Sequence, residues 1–208
     1  MSGLDTFTPS FYWRTQLAKL HFYYSTMNAG KSTSLLQSNY NYNERGMNTL
    51  LLAPSVDTRY GAKKITSRIG LQADATAFSP DEDLYQFIKQ ELDKNSNIKC
   101  ILLDEAQFIT KKQVQQLAYV TDDFNIPVLA YGLRTDYMGE PFEASKYFLA
   151  LADQLIELKT ICHCGRKATM VLRVNDQGEI VRKGEQVAMG GNESYIPVCR
   201  KHFREGKI

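Results

Sequence analysis

The sequence lacks a surplus of charge of either sign, and it lacks a long apolar run. Its 208 residues carry 25 basic and 23 acidic side chains, which gives a net charge of +2. This balance produces no global field that would favour a nucleic acid or a membrane surface as partner. No apolar stretch is long enough to cross a bilayer, and the N-terminus lacks the basic, apolar and small-residue pattern of a signal peptide. We therefore expect a cytoplasmic protein that binds neither membranes nor nucleic acid.

Cysteine is scarce, with four residues in the chain. Cys100 lies alone in an apolar run, which is typical of a small buried thiol. The other three cysteines occur with histidines in two short clusters, Cys162-His163-Cys164 and Cys199-Arg200-Lys201-His202. Two ligand pairs separated by a few dozen residues are typical of a structural zinc site, and disulfides are a poor alternative in a reducing cytosol.

The first of these pairs has only one intervening residue, so His163 competes with Cys164 as a ligand. We favour Zn²⁺ bound by four side chains, Cys162, Cys164, Cys199 and His202. Four protein ligands close the coordination sphere of the ion and leave no position for a catalytic water. The predicted zinc is therefore structural.

A phosphate-binding pattern follows an apolar, strand-like segment at residues 20–24. It reads Ser25-Thr26-Met27-Asn28-Ala29-Gly30-Lys31-Ser32-Thr33. In the motif G-x-x-x-x-G-K-[ST], loop N–H groups surround nucleotide phosphates, the lysine reaches the β and γ oxygens, and the next hydroxyl ligates Mg²⁺. Gly30, Lys31 and Ser32 suit these roles, and a helix from Ser32 would add its positive end. Ser25 replaces the usual first glycine, and the run could also be an ordinary helix start capped near Ser32 or Thr33.

A second element, Cys100-Ile101-Leu102-Leu103-Asp104-Glu105, supports the nucleotide interpretation. Its apolar run is typical of a strand buried on both faces of a parallel sheet, and acids at its carboxyl end lie where open α/β sheets bind ligands. Asp104 would hold Mg²⁺ opposite Ser32, and Glu105 could accept a proton from the attacking nucleophile. Neighbouring residues of an extended strand point to opposite faces, so both acids can serve one site only if the chain turns after Asp104. Considered without the phosphate loop, these acids could instead cap the next turn or helix.

Hydrophobic periodicity predicts alternating strands and helices from residue 20 onward. Helices are expected at residues 31–42, 84–92 and 114–124, and strands at 20–24, 49–52, 100–103, 127–131 and 154–158. Between residues 54 and 80 the periodicity fails, which predicts a loop that is either mobile and near phosphates or simply a solvated charged loop. After residue 160 the zinc ligands bracket a turn at residues 175–178 and a glycine-rich stretch at residues 184–191.

These patterns predict an α/β protein with a P-loop (RecA-like) parallel sheet flanked by helices, followed by a small zinc-binding domain. We expect a poorly ordered N-terminal arm over residues 1–17, a nucleotide-binding domain over residues 18–159, and a zinc-binding domain over residues 160–208.

Six motifs in this order resemble those of bacterial thymidine kinases of the type II, zinc-containing class. They read M-N-A-G-K-S-T, V-D-T-R-Y, L-L-D-E-A-Q-F, Y-G-L-R-T-D, E-L-K-T-I-C and G-G-N-E-S-Y-I-P-V-C-R-K-H. The resemblance covers residues 18 to about 202. It implies transfer of the γ-phosphate of ATP to the 5′-hydroxyl of thymidine or deoxyuridine in nucleoside salvage. It also implies a homotetramer and feedback inhibition by dTTP.

The resemblance also implies roles for individual residues. Residues 25–33 correspond to the ATP loop, Asp104 to the Mg²⁺-linked acid, and Glu105 to the proton acceptor. The remaining ATP and metal contacts are expected from Asp57, Arg59 and Gln107. The nucleoside pocket is expected from Phe108, Leu133, Tyr137, Phe142, Gly190, Gly191 and Tyr195, of which the last three belong to a glycine-rich lasso that binds the base through its backbone. The zinc ligands flank this lasso and would hold its two ends together.

Two rival functions fit parts of the pattern. In a P-loop ATPase the pair Asp104 and Glu105 would activate water, but a chain of 208 residues has little room for translocation machinery. A nucleic-acid-binding zinc ribbon would use the basic residues of the last fifty, yet acidic residues are interleaved with them, which favours a solvated hairpin.

Overall fold

The computed structural model describes residues 17–55, 64–184, 186 and 195–208. The helices are α1 Lys31–Glu44, α2 Leu84–Lys94, α3 Lys111–Phe124, α4 Glu143–Leu151 and α5 Arg200–Glu205. The strands are β1 Leu20–Ser25, β2 Asn48–Pro54, β3 Lys64–Thr66, β4 Gln72–Asp74, β5 Thr76–Phe78, β6 Ile98–Leu103, β7 Val128–Leu133, β8 Gln154–Glu157, β9 Thr160–Ile161, β10 Lys167–Ala168, β11 Met170–Val174, β12 Ile180–Val181 and β13 Tyr195–Val198.

Six parallel strands form the main sheet, in the order β5-β2-β6-β7-β1-β8. The two central strands are almost completely buried, β7 at all six positions and β6 at all but Lys99. Such burial follows from helices covering both faces, because a parallel sheet has no face left for solvent. The predicted α/β fold with a parallel sheet is confirmed.

Side-chain alternation along the strands builds a core on each face of the sheet. Ile101 and Leu103 of β6 join the core that also holds residues of α2, α3 and α4. Cys100 and Leu102 point the other way and pack with Leu35 of α1. A third, smaller apolar cluster lies among the last strands and α5.

Helices α2 and α3 begin at side-chain caps. Asp83 caps α2, where its carboxylate accepts the backbone N–H of Gln86 at 3.0 Å. Thr110 and Gln113 form a reciprocal capping box at the start of α3. α2 and α3 lie beside one another on one face of the sheet, where both contribute residues to the same apolar core.

The segment between residues 54 and 80 differs from the predicted loop. It contains the antiparallel hairpin β3–β4, and it contains β5, which extends the main sheet by pairing with β2. Helices α4 and α5 are further elements that the periodicity did not indicate. The predicted turn at residues 175–178 is confirmed, because the Gly178 N–H donates to the Asn175 carbonyl at 2.9 Å.

After β8, the described chain folds into two small antiparallel sheets, β9 with β10 and β12-β11-β13. Among the described residues, Lys167 of β10 donates to the Glu157 carboxylate of β8, and two further hydrogen bonds start from residues that directly follow β1 and β7. Thr26 Oγ1 donates to the Met170 carbonyl at 3.0 Å, and the Arg134 guanidinium donates to the Thr169 carbonyl at 3.0 Å. The described helices include none that is long and apolar enough to cross a membrane.

Candidate active site

The predicted phosphate loop connects the carboxyl end of β1 to α1. Asn28 and Gly30 both adopt left-handed backbone conformations, with φ of 63° and 77°, and Gly30 is the N-cap residue of α1. Glycine is the residue that enters this region without a steric penalty. The first turn of α1 contains no acidic residue, so no carboxylate on the helix itself offsets its positive end. The loop therefore presents a helix N-terminus suited to an anion.

Lys31 lies across this loop. Its ammonium group donates to Ser25 Oγ at 3.3 Å and to the Thr26 carbonyl at 3.2 Å. Ser25, which replaces the first glycine of the motif, thus contacts the motif lysine, and it is buried at the end of β1. These contacts hold the lysine ammonium against the start of the loop, within the motif whose lysine binds phosphate oxygens.

Ser32 and Asp104 are brought together from α1 and the end of β6. Ser32 Oγ donates to Asp104 Oδ2 at 2.9 Å, and the Glu105 N–H donates to Oδ1 at 3.0 Å. Burial raises the pKa of Asp104 to about 7, and repulsion from Glu105 adds to the rise, while Ser32 and Lys31 act in the opposite direction. A buried carboxylate beside a hydroxyl offers the oxygen ligands that Mg²⁺ prefers, and a cation would supply the charge that favours the ionised acid.

The chain turns at Glu105, which is the condition for both acids to serve one site. Its φ of 48° is left-handed, and it precedes the 3₁₀ turn Ala106–Phe108. The chain therefore bends immediately after Asp104, and the two acids are no longer related by strand alternation. Gln107 Nε2 donates to Glu105 Oε2 at 2.5 Å, and Gln107 Oε1 accepts the Leu133 N–H at 2.9 Å. The expected contact of Gln107 with ATP or metal stays a prediction.

The described residues of the expected nucleoside pocket lie around the end of β7. Phe108 and Phe142 meet edge to face with ring centroids 6.0 Å apart, and Tyr137 and Tyr195 do so at 6.5 Å. Leu133 is the last residue of β7 and is largely buried. Asp57, Arg59, Gly190 and Gly191 lie outside the described residues.

Asp136 is a residue of this region to which the sequence analysis assigned no role, although it lies in the quoted motif Y-G-L-R-T-D. It is 3% exposed and accepts the N–H groups of Met138 and Glu140 at 2.8 and 2.9 Å. Its other oxygen accepts from Gln186 Nε2 at 2.9 Å. An acid at this point of a turn is a recognisable signal for backbone hydrogen bonding, but the contact with Gln186 depends on the tertiary fold.

The four predicted zinc ligands converge in one cluster, with their ligand atoms within 4.8 Å of one another. Cys162 Sγ lies 3.3 Å from His202 Nδ1, and Cys164 Sγ lies 3.9 Å from Cys199 Sγ. The ring of His163 stacks on that of His202 at 4.3 Å, outside this group of four. Three thiols and an imidazole at this spacing fit a tetrahedral zinc site.

The backbone around Cys162 favours its thiolate. Burial raises the pKa of this thiol, but hydrogen bonds from the backbone of Cys164 and from His202, with a further one from the backbone of Cys199, outweigh burial and lower it to about 6. A thiolate is the form that binds zinc. The local fold is thus arranged for a metal ligand.

Comparison with known proteins gives the same family as the motifs. A family model described as thymidine kinase matches residues 18–203. The thymidine kinase of Coxiella burnetii (strain RSA 493 / Nine Mile phase I) is 62% identical over 191 residues, which cover 92% of this chain and 97% of that protein. The thymidine kinase of Shewanella oneidensis is 60% identical over 189 residues, which cover 91% of this chain and 98% of that protein. With the phosphate loop, the acidic strand end and the Cys/His cluster all inside the matched residues, this chain belongs to the thymidine kinase family.

Proposed function

We propose that this chain transfers the γ-phosphate of ATP to the 5′-hydroxyl of thymidine, and of deoxyuridine, giving the nucleoside monophosphate and ADP in deoxynucleoside salvage. The observation that carries the proposal is the convergence of Lys31, Ser32, Asp104 and Glu105 at the carboxyl edge of the sheet in a chain of this family. Phosphoryl transfer depends on positioning and electrostatic stabilisation, which these residue types provide.

The nucleotide half of the site follows from the phosphate loop. Backbone N–H groups at the start of α1 and the ammonium of Lys31 would bind the phosphates of ATP. Ser32 and Asp104 are the residues that would hold Mg²⁺, an ion that neutralises charge on phosphate oxygens when it is bound. Asp57 and Arg59 are proposed as further contacts with phosphates or metal.

The acceptor half of the site centres on Glu105. Its carboxylate would accept the proton of the 5′-hydroxyl as that oxygen attacks the γ-phosphorus. The aromatic rings near the end of β7 would enclose the nucleoside, and the glycine-rich segment would bind its base. The nucleoside contacts that we propose are Phe108, Leu133, Tyr137, Phe142, Gly190, Gly191 and Tyr195.

The Cys/His cluster fits a structural Zn²⁺, and its unpaired thiols suit the reducing cytoplasm, where we place the reaction. We further propose the domain division at about residue 160, a homotetrameric assembly, and feedback inhibition by dTTP acting at the nucleoside and phosphate sites.

A phosphate-transfer assay tests the proposed reaction. Purified protein with ATP and Mg²⁺ is offered thymidine, deoxycytidine, deoxyadenosine and deoxyguanosine in competition, with water as the remaining acceptor. We expect selective formation of thymidine monophosphate. ATP hydrolysis that is indifferent to nucleoside would instead assign the chain to the ATPase class. The variant Lys31→Met should abolish the transfer, whereas Lys112→Met, at an exposed position of α3, should leave it unchanged.

A further inference from the structure

The side chain of Gln107 lies between the proposed base and strand β7. It is 3% exposed, and both ends of its amide are engaged. Nε2 donates to Glu105 Oε2 at 2.5 Å, and Oε1 accepts the backbone N–H of Leu133 at 2.9 Å. The amide therefore links Glu105 to the most buried strand of the sheet.

The backbone of β7 fixes the orientation of this amide. A backbone N–H can only donate, so the atom that faces Leu133 must be the carbonyl oxygen Oε1. The NH₂ end then points to Glu105, where a carboxylate can only accept. A glutamine turned the other way would place donor against donor at Leu133 and acceptor against acceptor at Glu105. The hydrogen-bond network thus leaves a single arrangement.

The strand also makes room for Gln107. A β-carbon built on Gly132 would lie 3.1 Å from the Gln107 backbone nitrogen and 3.2 Å from its Oε1. It would also lie 3.3 Å from Cβ of Ala106. These separations are tighter than ordinary van der Waals contact, so any residue larger than glycine would press on the turn that carries both Gln107 and Glu105.

We propose that Gln107 is a positioning residue, which holds the Glu105 carboxylate in the orientation that accepts the proton of the nucleoside hydroxyl. In this role Gln107 acts through Glu105, which is an alternative to the contact with ATP or metal expected from the sequence. The inference rests on the proposed function of Glu105 as base. A glutamate side chain has several rotatable bonds, and catalysis is sensitive to misplacement of a reacting group by about 1 Å. Attachment to a buried strand removes that freedom before the substrate binds.

Two variants test the positioning role from different sides. Gln107→Met keeps the length of the side chain but removes the amide, and Gly132→Ala keeps the amide but displaces it. For both variants we expect kcat to fall at least tenfold while the KM values for ATP and thymidine stay within twofold. A raised KM for ATP with unchanged kcat would place Gln107 at the nucleotide and overturn the inference.

A matched control separates positioning from general loosening of β7. Ser145 Oγ donates to the carbonyl of Leu133 at 2.6 Å, and its side chain is fully buried. Ser145→Ala therefore removes a buried hydrogen bond on the same residue of β7 without removing a contact of Glu105. We expect kcat of this variant within twofold of the parent. A tenfold loss in Ser145→Ala as well would attribute the effect to the strand and overturn the inference.

A double-variant comparison isolates the route through Glu105. If Gln107 acts only by placing the carboxylate, Gln107→Met should cost no further turnover once Glu105→Gln is present. Additive losses would contradict the inference while leaving Glu105 as base. Near-normal turnover of the single variant Glu105→Gln would remove the proposed role of Glu105 itself, and the positioning role with it.

Discussion

At the scale of single residues, burial controls the acidity of Cys100. The thiol is completely buried between the sheet and α1. Burial raises its pKa from 9.0 to about 12, against a smaller lowering by its hydrogen bond with Tyr42. A thiol with this pKa stays protonated and unreactive at neutral pH. Cys100 is therefore a packing residue, in contrast to Cys162 and its neighbours in the metal cluster.

The raised pKa of Cys100 predicts a loss of stability at alkaline pH. The unfolded thiol ionises near pH 9 and the folded thiol near pH 12. The stability that the protonated thiol contributes is therefore fully present below pH 9 and is lost as the pH rises toward 12. Cys100→Ala removes this contribution. Between pH 7 and pH 10, the free energy of unfolding of the parent should therefore fall by about 1.4 kcal/mol more than that of Cys100→Ala. Denaturant titrations at the two pH values measure the difference.

Val114→Ala provides the control for that experiment. Val114 is also fully buried but carries no titratable group. Its truncation should lower stability equally at both pH values through the cavity that it leaves. An identical pH dependence in Cys100→Ala and the parent would show that the thiol does not titrate as stated.

Some residues of the candidate site can be predicted from local sequence, and others cannot. The phosphate loop and the zinc ligands are predictable because few residue types have the required chemistry and the spacing is short. The hydrogen bond between Gln107 and Leu133 is not predictable in this way. It joins positions 26 residues apart on different elements, and it exists only once β6 and β7 are neighbours.

At the scale of elements, Asp83 fixes the start of α2. Its carboxylate accepts the Gln86 N–H, one of the four donors that a helix start leaves without a helical partner. We expect Asp83→Ala to lower the free energy of unfolding by about 1 kcal/mol. Asp81→Ala removes a carboxylate two residues earlier, outside the helix and exposed, and should change stability by less than about 0.5 kcal/mol. Equal effects in chemical denaturation would contradict the capping role.

Helix α4 shows why sequence patterns did not identify every element. Its N-cap residue, Phe142, makes no side-chain cap hydrogen bond, and a proline precedes it. Only Ala144, Ser145 and Phe148 are buried in its nine residues, so its apolar pattern is short. The position of α4 is set by tertiary contacts, such as the stacking of Phe148 on Phe22 at 4.8 Å. Strands β3, β4 and β5 have three residues each, too few for alternation to be recognised.

At the scale of the whole molecule, the Cys/His region and the phosphate loop are joined directly. The carbonyl of Met170 accepts from Thr26 of the loop, and the carbonyl of Thr169 accepts from Arg134. Met170 and Cys199 belong to the same small region, in which β11 pairs with β13 immediately before Cys199. Disorder of the Cys/His cluster would therefore disturb the phosphate loop through these hydrogen bonds.

This connection predicts a consequence of losing the metal. We expect Cys199→Ala to lose its bound zinc, to lower kcat, and to raise the KM for ATP severalfold, since β11 would no longer support Thr26. Zinc content by elemental analysis and steady-state kinetics measure the two effects. Cys100→Ala replaces another buried cysteine and should retain both zinc and KM. Full zinc content in Cys199→Ala would show that this cysteine is not a ligand. An unchanged KM for ATP in zinc-free protein would show that the Cys/His region does not support the phosphate loop.

The order of strands also governs when a growing chain can bind nucleotide. β1 lies between β7 and β8, and its first residue, Leu20, pairs with Val128. About a hundred residues separate β1 from β7, and they must leave the ribosome before β1 acquires either neighbour. The phosphate loop is thus synthesised well before the strands that flank β1, and such distant pairings are slow to form. We therefore expect ATP to bind only after β1 has paired with its neighbours, and to stabilise the folded chain without assisting the earlier steps of folding.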